Sequence, residues 1–81
     1  MSSIIAVEGV LIMTSYMESI GEAAGDLWRT IQEGGKPLTT TQLKNRTELP
    51  EHLLFAGLGW LAREGKIDFS GTGKKIEVFL K

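Results

Sequence analysis

GLGWLAREGKIDF (Gly57–Phe69) changes its period part-way along. Leu58 and Leu61, with Leu53 and Leu54 a turn earlier, keep the spacing of one helix face, and Trp60 widens that face. Gly65 then suits the left-handed position that follows a helix. Beyond it Ile67 and Phe69 alternate with Lys66 and Asp68, which is the period of a strand. The stretch therefore reads as the end of a helix, its stop and the start of a hairpin. Gly57 and Gly59 are the anomaly, since each costs ~1 kcal/mol relative to Ala inside a helix. Close approach of a neighbour explains such a cost. For Gly57, nearer the inner face, the expected neighbour is the first helix. For Gly59 it is a second protein.

Downstream, Ser70-Gly71-Thr72-Gly73-Lys74 is turn chemistry. Ile76, Val78 and Leu80 then alternate with Lys75, Glu77 and Phe79, completing a β-hairpin with one face to the core. Upstream, Pro50 suits the first position of the helix that holds the quoted stretch. Before it, Thr39 or Thr40 caps a short helix anchored by Leu43 and ending near Asn45-Arg46-Thr47. Lys36-Pro37-Leu38 is an extended connector, because Pro37 biases Lys36 away from helix. Ahead of that, Ile20, Ala23, Ala24, Leu27, Trp28 and Ile31 mark an amphipathic helix. Ser19 with Glu22 forms a capping-box signature that sets its expected start, and Gly34-Gly35 its stop.

Residues 1–16 stand apart. Ile4, Ile5, Val7, Val10, Leu11 and Ile12 make an apolar cluster too short for periodicity to separate strand from helix. Met17 can itself serve as a translation start. The segment reads either as a dispensable apolar leader or as an extra element that packs on the domain or on a second copy. Residues 17–81 form the expected domain. Glu8 and the lack of a positive n-region exclude a signal peptide.

The bulk numbers agree with one small domain. The chain has 81 residues, 42% of them hydrophobic, and no cysteine. Stability must therefore come from apolar packing or self-association, without disulfides. The lack of cysteine fits a reducing compartment and a cytoplasmic location. No apolar run approaches the ~18 residues of a membrane span. Net charge is −1, but residues 1–35 carry five carboxylates against Arg29 alone, while residues 36–81 carry eight Lys/Arg against five Asp/Glu. That basic bias permits a nucleic-acid partner without making a strongly basic stripe.

Helix, connector, helix, tight turn, helix, hairpin is the order of an α+β fold: a three-helix winged helix-turn-helix with a C-terminal β-hairpin wing. Leu58, Leu61, Gly65 and Ile67 resemble the run in which many winged-helix domains leave the third helix and enter the wing. IGEAAGDLW (Ile20–Trp28) and GWLAREGKI (Gly59–Ile67) are similar to a family of small prokaryotic winged helix-turn-helix proteins. The resemblance covers residues 17–81. It departs at Pro50, where the family tends to have a polar cap such as Ser. The resemblance implies the fold more than an activity; from the general use of winged helices and the basic second half, the expectation is a non-enzymatic DNA-binding protein with a role in transcription regulation.

The residues point to no catalysis. His52 is the sole histidine, and without cysteine or a second histidine no metal site assembles. Ser-Gly-Thr-Gly-Lys lacks the flanking residues and following helix of a phosphate loop. No cofactor is implied. For double-stranded DNA, the third helix is expected in the major groove with the wing on the backbone. Candidate contacts are Thr40, Thr41, Lys44, Asn45 and Arg46 on the second helix. His52 and Arg63 on the third helix join them, with Thr72, Lys74 and Lys75 on the wing. Yet the outer face of the third helix, with Phe55, Ala56, Gly59 and Ala62, is apolar and poor in the donors that read base edges. The alternative is therefore a protein-interaction module, a homodimer or a partner-binding domain, that uses this face and binds no nucleic acid.

Overall fold

The computed structural model describes residues 2–71 and 75–81, with side chains from Tyr16 onward. Three helices and a small antiparallel sheet follow in the order α1 (Ser2–Gly34), β1 (Leu38–Thr39), α2 (Thr40–Thr47), α3 (Glu51–Arg63), β2 (Ile67–Ser70) and β3 (Glu77–Leu80). The architecture is α+β. Each element gives the core at least one residue. Leu27 of α1, Leu38 of β1, Leu43 of α2, Leu54 of α3 and Val78 of β3 are fully enclosed, and Ile67 of β2 is nearly so. Ala24, Ile31, Leu58 and Leu61 complete the cluster. Among the described residues no polar side chain is buried, so apolar packing carries the fold.

The helix carrying Ile20 to Ile31 does not begin at Ser19. α1 runs unbroken from Ser2, so Ser19 and Glu22 are helix-interior residues and not a cap. The apolar cluster at residues 4–12 is helical. The C-terminal stop is where the two glycines place it. Gly35 adopts φ 69° and its N–H donates to the Ile31 carbonyl.

α3 lies along α1 in the same direction. They meet tightly at Gly57, where a Cβ would stand 2.8 Å from Leu27 Cδ1 and 3.2 Å from the Ala24 backbone nitrogen. That is the helix neighbour expected for Gly57. Gly59 has nothing within 4 Å. Trp60, expected inward, is 47% exposed, because it sits on the α1 flank of α3 and not over the core. α3 ends in a Schellman motif: the Gly65 N–H donates to the Ala62 carbonyl and the Lys66 N–H to the Leu61 carbonyl, with Gly65 at φ 73°.

The sheet has the order β1-β3-β2. β2 and β3 form the expected hairpin, with Ile67 opposite Leu80 and Phe69 opposite Val78. A short third strand joins its far side, Leu38 opposite Val78 and Thr39 opposite Glu77. The extended connector thus leads into a strand at Leu38. Only the base of the hairpin reaches the core. Phe69 and Ile76, further out, are 41% and 38% exposed.

Candidate nucleic-acid interface

The helix-turn-helix is built by local chemistry. Thr39 ends β1 and caps α2: its hydroxyl accepts from the Gln42 N–H, while Gln42 Oε1 accepts from the Thr39 N–H. This is a complete capping box. Glu48 closes α2 in the left-handed conformation at φ 57°, its N–H donating to the Lys44 carbonyl at 2.8 Å. Leu49 then turns inward onto the core. Pro50 stands one position before α3, as its N-cap and not its first residue. It has no side-chain donor or acceptor to offer, and its carbonyl accepts from the Leu53 and Leu54 N–H groups.

Two grooves flank α3. On the α2 side, Thr40, Thr41, Lys44 and Asn45 face Glu51, Leu54 and Phe55. Lys44 Nζ stands 3.6 Å from Glu51 Oε1, an exposed ion pair that joins α2 to the first turn of α3. The Thr40 N–H donates to the Ile76 carbonyl at 3.3 Å, which brings Lys75 beside the start of α2. Thr40, Thr41, Lys44 and Asn45 therefore line one groove, and the backbone of Lys75 stands near its Thr40 end. Arg46 is exposed near the end of α2. Arg63 is exposed in the last turn of α3, about 12 Å along the helix from Phe55. Thr72 and Lys74 lie outside the described residues.

His52 is engaged elsewhere. Its ring stacks on Tyr16 of α1, with centroids 5.7 Å apart and an interplanar angle of 18°. Its Nδ1 and the Tyr16 hydroxyl are hydrogen-bonded at 3.0 Å; with the ring proton on Nε2, the hydroxyl donates. Tyr16 carries a signal that went unread behind the expected start at Ser19. It lies at i−4, i−7 and i−11 from Ile20, Ala23 and Leu27, on one face of a continuous α1.

The outer face of α3 is as apolar as expected at Phe55, which is 52% exposed, and bare at Gly59. Ala56 is half-buried. Ala62 does not belong to that face. It follows Leu58 by one turn and packs against the core.

The comparisons agree with this geometry. A solved structure of HOP2, reported for its DNA recognition and protein interaction domains and for homologous DNA pairing, aligns with a TM-score of 0.66. It is 27% identical and covers 73% of this chain and 98% of that one. No curated protein matches the sequence. Residues 13–80 match the family described as the winged helix-turn-helix domain (DUF2582). With three helices, a helix-turn-helix and a hairpin wing in place, the chain belongs to that family.

Proposed function

We propose that this chain is a non-enzymatic winged helix that binds duplex DNA by gripping phosphates, not by reading bases. The observation that carries it is the Thr40–Ile76 hydrogen bond, which sets the Lys75-Ile76 backbone against the first residue of the helix that carries exposed Lys44 and Asn45. The exposed residues of α1 include Glu18, Glu22 and Glu33, so a polyanion is repelled from that helix. α3 lacks the donors for base readout along its outer face before Arg63, and Glu51 opposes phosphate at its first turn. The likeness to a HOP2 structure reported for DNA recognition and protein interaction domains is compatible with the same partner. Base-blind binding favours an architectural or pairing role over operator recognition.

Fluorescence anisotropy with mixed-sequence duplexes tests it. Binding is expected at low salt with a dissociation constant in the range of about 1–100 μM, nearly independent of sequence. Lys44→Ala with Lys75→Ala should lower the salt slope by about 2 while leaving the circular dichroism spectrum intact. Absence of binding at low salt in that range overturns DNA as the partner. It leaves the second function, a protein-contact module centred on exposed Phe55 beside bare Gly59, as the remaining one. Under that function Phe55→Glu abolishes partner binding without lowering the urea midpoint.

A further inference from the structure

The groove between α2 and α3 neutralises its own cation. It has a volume of about 400 Å³, with Thr40, Thr41, Lys44 and Asn45 on the α2 side and Glu51, Leu54 and Phe55 on the α3 side. Lys44 is the one cation in that lining and Glu51 the one anion. Lys44 Nζ and Glu51 Oε1 stand 3.6 Å apart, so the charge that would attract a phosphate already has a partner.

The neutral donors around it have none. Thr30 and Thr47 spend their hydroxyls on the carbonyls of Asp26 and Leu43, in their own helices. Thr40, Thr41 and Asn45 make no side-chain hydrogen bond among the described residues. Thr40 and Lys44 stand four residues apart on α2, as do Thr41 and Asn45, which turns all four toward the same groove. Two hydroxyls and an amide thus surround an ammonium that is already engaged. That engagement is weak, because the Glu51 side chain is 68% exposed and that of Lys44 49%. A phosphate oxygen accepts from the ammonium as the carboxylate does, and the same phosphate can accept from the hydroxyls as well.

We propose, resting on duplex DNA as the partner, that Glu51 is an internal competitor for the phosphate that Lys44 binds and so limits how tightly this chain holds DNA. The phosphate displaces the carboxylate from Lys44. The carboxylate remains on the first turn of α3 and repels the backbone that replaced it. Glu51 therefore opposes binding twice, by occupying Lys44 beforehand and by its own charge afterwards.

A double-mutant cycle read by fluorescence anisotropy on one mixed-sequence duplex at low salt tests it. Glu51→Gln keeps the size of the side chain and should leave the circular dichroism spectrum as it is. It should tighten binding by about threefold or more. In a Lys44→Ala background the same change should give a clearly smaller gain, since no ammonium is left to release. Glu22→Gln removes an equal charge from α1, away from this groove, and should change affinity by less than about twofold. The competitor is overturned if the wild-type chain binds and Glu51→Gln binds no tighter. It is also overturned if the gain is undiminished without Lys44, or if Glu22→Gln matches it, which would make the effect one of net charge. Those three results leave DNA as the partner. Failure of both the wild-type chain and Glu51→Gln to bind overturns DNA itself, and the competitor with it.

Discussion

Gly57 and Gly59, two residues apart on α3, answer to different surroundings. At Gly57 an added methyl enters the α1 contact, 2.8 Å from Leu27 Cδ1 with Ala23 and Ala24 backbone close behind. The Leu27 side chain can yield, but the backbone of a packed helix cannot yield alone. Gly57→Ala is therefore expected to lose about 1–3 kcal/mol through overpacking, outweighing its gain of about 1 in helix propensity. Gly59→Ala meets open space and should gain about 0.5–1 kcal/mol in the isolated chain. Urea titrations of the two variants check the pair. A stabilised Gly57→Ala would mean that α1 and α3 are not in contact there. At Gly65, φ 73° penalises any side chain, so Gly65→Ala should lose about 1 kcal/mol by the same measurement.

At the scale of elements, the joints decide the geometry. Thr39 pairs with Glu77 as the last residue of β1 and caps α2 with its hydroxyl. Thr39→Ala should lose about 1 kcal/mol and fray the first turn of α2, visible as faster amide exchange at Gln42. The α3 stop, the hairpin and the short α2 were legible because their signals are local: Gly65, alternation after it, and threonines before Leu43. The start of α1 was not. A Ser followed by Glu three residues on looks the same in the middle of a helix as at its end, and only the upstream residues distinguish the two cases. β1 was missed for another reason. Two residues carry no periodicity, and their partner Val78 lies about forty residues away. The candidate site divides the same way. Lys44, Asn45 and Lys75 are recognisable as residue types. The pairing of Lys44 with Glu51 and of His52 with Tyr16 depends on helices brought together by folding.

Over the whole molecule, α1 sets the dimensions. A helix of 33 residues spans about 50 Å, matching the longest extent of 49 Å, while the other extents are 22 and 21 Å. The core is correspondingly thin, and Leu27 stands at its centre with no exposure. Leu27→Ala should lose about 2–5 kcal/mol, a large part of the about 4–12 expected for a domain of this size. Calorimetry should show a melting temperature lowered by more than about 10 °C. The sheet order β1-β3-β2 adds a temporal consequence. The central strand follows the other two in sequence, so β1 and β2 have no sheet partner when they first leave the ribosome. α1, α2 and α3 can gather earlier through their own contacts, but Leu38 and Ile67 stay without their strand neighbours until residues 77–80 emerge. The emergence of β3 is thus one clasp that closes the wing, the connector and the helix-turn-helix together, and a nascent chain stalled short of Glu77 would leave the fold open.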